Sequence, residues 1–525
     1  MAIARPVGNR KPMTEKFLLY FARPDLLSAS EEMLRLYRPA AAFTVLSAEE
    51  FRCWQNRPAA GEILISGEAA GPAEETPGCL AGLSFLRQGH LTNLQRKLTV
   101  DRLPWEDKTG AERRCIRLLL NGLLKDFRGE PASPWGILRG VRPTKLVHRL
   151  LDTGQPAAEI RALLAEAYAL DQAKADLLTE VALRQRPFLS SRAEARRLVS
   201  IYVGIPFCPS RCLYCSFPSF PLQGAERRLA EFLDALRREI AAVRQFFAQH
   251  GLKTQTIYIG GGTPTSLPDR EFRQLVRDIG QAFSSADLRE FSVEAGRPDT
   301  ITPVKLMTMR EAGVDRISIN PQSMRERTLQ LIGRFHRPDQ VEQVFRQARE
   351  AGFDNINMDL IAGLPGETPE DVLYTLERIG RLRPESLTVH TLAVKRGSNL
   401  KESGEFSAAP APLVRDMLGL CAGAARSWGL VPYYLYRQKY MAGNLENVGY
   451  ALPGKECLYN IQIMEERQSI VGLGAAAATK AVNPADRRVT SCYNPKDVAT
   501  YINDLQGYVA RKLTLMQRVF TSKEE

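Results

Sequence analysis

Long apolar runs are missing from this chain. In 525 residues no stretch approaches the roughly 20 apolar residues that cross a bilayer. In the basic opening stretch the longest apolar run, Phe17 to Phe21, is too short for the core of a secretion signal. The expectation is a cytoplasmic protein with no membrane span and with reduced thiols. Cysteine is sparse and odd in number: nine residues, six of them scattered, which argues against a disulfide framework. Histidine is scarcer still. His90, His148, His250, His336 and His390 stand alone, so no cysteine pair meets the second ligand pair that structural zinc usually takes. Long basic runs are absent as well. The net charge of +12 is spread thinly; it permits a nucleic-acid partner without requiring one, and an anionic small substrate explains it as well. No internal repeat is present.

What remains is an ordinary globular composition, 44% hydrophobic and 25% charged, on a chain long enough for two or three domains. Residues 1–104 read as a mixed α/β region, with strands at "EILIS" and "AAFTVLS" and turn signals in "EETPGCLAGL". Residues 105–195 read as helical: "AERRCIRLLLNGLLKDF" carries an apolar stripe, and a helix pair stops at Pro187. Between these helices, "PWGILRGVRPTKLVHRLLD" reads as a structured turn region.

From 196 to 400 strands and helices alternate. "SIYVGIPF", "QTIYIG", "REFSVEAG", "DRISINP", "NINMDLIAG" and "ESLTVHTLA" are six apolar strands. The first intervening helix places Leu229, Phe232, Leu233, Leu236, Ile240, Val243 and Phe247 on one face, with Gly251 as its C-cap. The expected fold is α/β: a partial, TIM-like (β/α)6 barrel with an N-terminal mixed and helical domain and a smaller C-terminal domain over 401–525. The chemistry of such a fold sits at the carboxyl ends of its strands. After the first of them comes "FCPSRCLYCSF", with Cys208, Cys212 and Cys215 inside eight residues.

Three thiols at this spacing have three readings: structural zinc, unligated core cysteines, or an iron–sulfur cluster. Zinc lacks a fourth ligand here, and the polar loop around Pro209, Ser210 and Arg211 suits a core poorly. A cubane usually takes four thiolates, so three would leave one iron open for chemistry. That reading is favoured.

The segment "YVGIPFCPSRCLYCSF", followed by "GGGTPT" beginning at Gly260, 45 residues after Cys215, resembles the radical S-adenosylmethionine (SAM) enzymes. More narrowly it resembles the oxygen-independent coproporphyrinogen III oxidase family. "VEAGRPDT" and "PWGILRGVRPTKLVH" are similar to its HemZ-type branch. The resemblance implies that Cys208, Cys212 and Cys215 hold a [4Fe-4S] cluster whose fourth iron is chelated by SAM, and that a 5′-deoxyadenosyl radical follows. It implies SAM contacts from Tyr202, from Gly260, Gly261, Gly262 and Thr263, and from Glu294, Gln322, Arg334 and Asp359. A guanidinium suits a carboxylate, and Asp or Gln suits ribose hydroxyls. The implied reaction is anaerobic oxidative decarboxylation of coproporphyrinogen III propionates to vinyls in porphyrin biosynthesis. The implied partners are a tetrapyrrole substrate and a reductant such as flavodoxin or ferredoxin.

The C-terminal segments "LPGKECLYN" and "IVGLGAAAATK" resemble a chain return over the barrel mouth, where Gly472 and Gly474 either approach a ligand or form a plain turn. "VPYYLYRQKY", with Tyr433, Tyr434, Tyr436, Arg437, Lys439 and Tyr440, either flanks a flat anionic macrocycle or is a buried strand with a basic edge. Two positions depart from the family pattern. Gly204 stands where its motif has His, and Phe217 stands where the decarboxylases have a further Cys. The second departure is shared with a haem-chaperone branch, so the alternatives are a haem carrier and a radical SAM enzyme acting on another tetrapyrrole or on RNA.

Overall fold

The computed structural model describes residues 16–520 apart from 38–42, 60–61, 70–76, 88–89, 130–132, 223, 396–397, 403–408 and 439–440. Lys439 and Tyr440, part of "EETPG" and most of the segment before the helix Ala411–Ser427 therefore lie outside the described residues. The chain forms two compact units: Met1–Arg139 with Gln155–Asp176, and Gly140–Gly154 with Leu177–Glu525. The stretch 105–195, expected as one helical region, contributes to both. Among the described residues no helix is long and apolar enough to cross a membrane.

The first unit is a five-stranded sheet, with strands β1 (Lys16–Phe21), β2 (Phe43–Val45), β3 (Glu62–Ala69), β4 (Gly78–Arg87) and β5 (His90–Thr99) in the order β2-β1-β3-β4-β5. β4 lies where the sequence showed turn signals. Its inward positions Cys79, Ala81 and Leu83 alternate correctly for a strand and are buried, but Gly and Ala mask the pattern. The helix Lys108–Arg128 covers this face. Asp107 caps it by accepting from Gly110 N at 2.6 Å, and Gly129 ends it at φ 79°.

The second unit carries the six expected strands, β6 (Leu198–Ile205), β9 (Lys253–Gly261), β10 (Glu290–Gly296), β11 (Arg316–Ile319), β12 (Ile356–Ala362) and β13 (Ser386–Thr391), each parallel to the next. Two-residue strands β7 (Phe207–Cys208) and β8 (Phe220–Pro221) bracket the cysteine loop. The helix Glu226–His250 buries all seven residues of its expected stripe and ends at Gly251 with φ 64°. The parallel arrangement follows from strands that are apolar on both faces and separated by amphipathic helices.

The C-terminal residues extend this same sheet at both edges. β14 (Val431–Tyr436) and β15 (Asn447–Ala451) join β13, while β16 (Ser469–Leu473), β17 (Ala478–Val482) and β18 (Val489–Tyr493) join β6. The segment expected as a smaller domain thus shares one eleven-stranded sheet with the barrel. The physical reason is that an open six-stranded sheet leaves two unpaired edges, and these strands satisfy both. β16 runs parallel to β6 and acts as a seventh barrel strand.

Candidate functional site

Side chains alternate along a strand, and the inward set of this barrel is polar. Tyr202 comes from β6, Tyr258 from β9, Ser292 and Glu294 from β10, Ser318 from β11 with Asn320 just after it, Asn357 and Asp359 from β12, and Thr388 and His390 from β13. They line a cavity of about 600 Å³ together with Cys208, Cys212, Cys215, Gly261, Gly262, Thr263, Gln322 and Arg334. Gly260 lies against its wall, since a Cβ there would come 2.7 Å from Glu294 Oε2. All twelve site residues read from the sequence are therefore gathered at one place.

The cysteine loop is held along its length. Arg297, buried and paired in both arms with Asp299 (3.0 and 2.7 Å), donates to Ser210 Oγ at 2.7 Å. Arg334 donates to Tyr214 OH at 3.1 Å and to Asn320 O at 2.6 Å. Leu213 N donates to Ile332 O at 3.0 Å, and Leu400 N donates to Leu213 O at 2.9 Å. One arginine thus restrains the arc between the first two cysteines and the other the arc between the last two. Burial pushes the Cys208 thiol up to about 11 and raises that of Cys215. Such thiols stay protonated at neutral pH until a metal takes the proton's place.

The glycine run seats this loop. A Cβ on Gly262 would stand 2.5 Å from Phe207 O and 3.0 Å from Cys208 Sγ, and Gly261 has φ +109°, which no other residue adopts without strain. Thr263 N donates to Phe207 O at 2.7 Å, and its Oγ1 lies 3.4 Å from Cys208 Sγ. The glycines are therefore needed for close approach of the protein to itself as well as for any ligand.

Glu294 and Asp359 hold opposite protonation preferences. Burial, with the charge of Asp359 adding, pushes Glu294 up to about 7 despite hydrogen bonds from Tyr258 OH (2.6 Å) and Gly261 N (3.2 Å). Burial also works against ionised Asp359, yet His390 at 3.6 Å and the amide of Asn357 at 2.7 Å hold it below the ordinary carboxylate value. Gln322 sits at φ 66°, a strained conformation for a side-chain-bearing residue. Its backbone continues the sheet by donating to Asp359 O at 2.9 Å.

Among the described residues, five buried polar atoms on this wall have no protein partner: Ser292 Oγ, Ser318 Oγ, Asn320 Oδ1, Gln322 Oε1 and Arg334 Nε. Buried polar groups are nearly always paired, so a cluster of five orphans marks a place built for a polar ligand. The thiols fit a cluster better than one ion. Among the described residues no three His, Cys, Asp or Glu side chains converge to hold a single metal, and a cubane takes one thiolate per iron. The donors present thus fit a [4Fe-4S] cluster beside a polar organic ligand.

Sequence reasoning missed several groups here. His390 was read as isolated, but it bridges Asp359 and Tyr436 OH (3.1 Å to its Nδ1). Tyr202, Tyr258 and Tyr459 form a stack, with Tyr258 and Tyr459 centroids 4.4 Å apart. Lys395 and Lys480 line the same cavity. Only His390, at an inward position near a strand end, carried a usable signal. The tyrosine-rich segment divides by strand alternation: Tyr434 and Tyr436 line the cavity, while Tyr433 is fully buried. Gly204 faces the C-terminal return, because a Cβ there would stand 2.9 Å from Ala475 O, and one on Gly474 would stand 2.3 Å from Gly204 O. The position has no room for a histidine. Phe217 is 61% exposed and lines the cavity's edge.

Residues 202–379 match the family model of the Radical SAM superfamily. The chain is 42% identical over 388 residues to the oxygen-independent coproporphyrinogen-III oxidase-like protein HemZ of Bacillus subtilis, covering 74% of this chain and 77% of that protein. It is 33% identical over 293 residues to the heme chaperone HemW of the same organism, covering 54% of this chain and 73% of that one. Among solved structures, coproporphyrinogen III oxidase (HemN) from Escherichia coli, a radical SAM enzyme, matches with a TM-score of 0.51 at 24% identity, over 62% of this chain and 73% of that one. This last likeness bears on the fold.

Proposed function

The chain belongs to the radical SAM superfamily and, within it, to the oxygen-independent coproporphyrinogen-III oxidase-like proteins of the HemZ type, and from that premise we propose that it converts propionates of coproporphyrinogen III to vinyl groups. The observation that carries the reading is the single cavity in which three thiols, two carboxylates of opposite preference and five unpaired polar atoms meet. Cys208, Cys212 and Cys215 would each hold an iron. Glu294, Gln322, Arg334 and Asp359 would take the polar groups of SAM, with Tyr202, Thr263 and the backbone of Gly260, Gly261 and Gly262 beside them.

When bound, the cluster and SAM supply the one-electron chemistry that removes a hydrogen atom from an unactivated carbon. Loss of that hydrogen atom, of carbon dioxide and of one electron turns an ionised propionate into a vinyl group; the electron leaves to an acceptor outside the chain. The protein's part is to orient and to exclude water. Arg297 and Arg334 keep the thiol loop in place, the Tyr202–Tyr258–Tyr459 stack forms a dry wall, and Lys395 sets a positive charge near Cys215. A reduced electron carrier, flavodoxin or ferredoxin, would be the source of electrons.

Anaerobic incubation with coproporphyrinogen III, SAM and a reductant is expected to yield vinyl products and 5′-deoxyadenosine together. Absence of both overturns the reading. The second reading, a haem carrier that retains the cluster, draws on exposed Phe217 and on the resemblance to HemW. Stoichiometric haem binding without turnover would favour it.

Glu294 makes the SAM site sensitive to pH. A carboxyl raised to about 7 is half ionised near neutrality, and the sulfonium cation of SAM favours its ionised form. The affinity for SAM is expected to rise about tenfold between roughly pH 6 and pH 8, and Glu294→Gln to flatten that slope. Equal slopes for the two proteins in anaerobic binding titrations would refute this role.

A further inference from the structure

The cavity has a second end. The cysteine loop follows the carboxyl end of β6, whereas Lys480 pairs with Ile470, which pairs with Ser200 near the start of β6. Five residues of strand separate Ser200 from Ile205, roughly 17 Å at about 3.3 Å per residue. Lys480 therefore marks the end of the cavity away from the thiols, and it lines that end beside Ala478 and Met464.

This end carries an excess of positive charge. Lys480, at 2.8 Å, shares the carboxylate of Glu466 with Arg142 and Lys145, so three cations meet one anion. Glu466 ends the helix Leu458–Glu465 at φ 51°, a position where glycine is the unstrained choice. A glutamate there anchors cations that a glycine could not. At the end of the helix Thr144–Asp152 that carries Lys145, Asp152 holds Arg186, Arg467 (2.6 Å) and Arg487 (2.8 Å). Six cations thus face two carboxylates. The neighbouring Glu465, beside Thr144 and His148, is raised to about 7 by burial and adds about half a negative charge at neutral pH, which leaves the excess positive. Lys480 is itself held down by burial, and the charges of Arg142 and Lys145 oppose the help it has from Glu466. Side chains of Arg142 and Lys145 are 26% and 37% exposed, so the cluster joins Lys480 on the cavity wall to two cations that reach solvent.

We infer that this end is a carboxylate-binding subsite, with Lys480 on the cavity wall and Arg142 and Lys145 behind it on the shared Glu466 carboxylate, that takes the propionates a tetrapyrrole keeps while another faces the thiol end. The inference rests on the tetrapyrrole reading above. It assigns a purpose to "GVRPTKLVH", which lies within the segment Gly140–Gly154 that folds with the barrel rather than with the first unit. A neutral macrocycle gains nothing from this cluster, whereas each carboxylate brought to it restores charge balance in a partly desolvated place.

The test uses coproporphyrin III, the stable oxidised macrocycle with four carboxylates, and its tetramethyl ester as uncharged control. Binding to the full-length reconstituted protein is followed by fluorescence titration at two salt concentrations. Lys480→Met is expected to weaken coproporphyrin III binding at least tenfold, to reduce its salt dependence, and to leave binding of the ester and of SAM unchanged. Lys480→Arg is expected to restore it. Arg142→Gln, at a more exposed position, should weaken it in the same direction, which covers the case of a poorly folded Lys480→Met. Equal affinity of wild type and both neutralising variants overturns the subsite while leaving the decarboxylase reading intact. Tight, lysine-dependent binding with no turnover removes the decarboxylase reading and upholds the subsite. A wild type that binds no coproporphyrin III overturns both.

Discussion

Cys208→Ala, Cys212→Ala and Cys215→Ala, each purified and reconstituted without oxygen, are expected to lose the visible absorbance of an iron–sulfur cluster and to cleave SAM only at background. On the proposed assignment each change would leave one iron without a protein ligand, and the loop offers no substitute. The next cysteine near the cavity, Cys457, is buried and donates to Glu290 at 3.3 Å from the far end of the sheet. The expected loss is far larger than for any neighbouring residue, because a ligand is a covalent partner whereas Arg297 or Thr263 only places one. Cys53→Ser is the control: Cys53 is exposed in the first unit and should leave iron content and SAM cleavage unchanged. Iron and sulfide per chain, with the absorbance spectrum, read the result. Full cluster content in any of the three loop variants would remove the assignment of that residue.

Glu239→Ala is expected to cost the fold about 3–5 kcal/mol, the penalty for removing one partner of a buried ion pair. Glu239 lies on the helix Glu226–His250, and neither its side chain nor that of Lys512 reaches solvent appreciably, at 0% and 1% exposure. Its carboxylate accepts from Lys512 Nζ, Tyr501 OH (2.7 Å), Gly474 N (2.7 Å) and the amide of Asn494 (2.9 Å). Alanine would leave the Lys512 ammonium buried with Gly472 O as its one remaining acceptor among the described residues. Guanidinium unfolding should show a lower midpoint, with Glu239→Gln falling between alanine and wild type. A loss under about 1 kcal/mol would show that the network adds little. A weaker hold on Gly474, which touches Gly204 one position from Val203 and two from Tyr202, should also loosen SAM binding. That effect separates the network from remote ballast.

These two predictions differ in how they could be found. The thiols of Cys208, Cys212 and Cys215 lie within eight residues, so the motif they form is local and legible in the chain itself. The same holds for the stripe of the helix Glu226–His250, for Gly251 at its end, and for the six parallel strands. Periodicity and capping act over one or two turns, and any fold must respect them. Even the inward residues Glu294 and Asp359 are legible, because a polar group within an apolar strand has to find a partner or a ligand.

The rest was decided by residues far apart in sequence. Glu239 and Lys512, or Arg142, Lys480 and Glu466, read alone as ordinary surface charges. Each becomes a buried or shared charge only when the sheet has brought its partners to it, across 273 residues for Glu239 and Lys512. Of the five C-terminal strands only the tyrosine-rich one was a candidate in the sequence, and none was legible as a sheet edge, since which edge a strand joins depends on what the barrel leaves unpaired. His390 became a partner of Asp359 because β12 and β13 are in register there, with Ile361 opposite His390. By itself the sequence determined the thiol loop, the strand–helix alternation and the family to which they belong, because those depend on neighbours along the chain. The tertiary structure alone decided which charges meet inside the cavity, because Coulomb attraction and desolvation depend on distance in space.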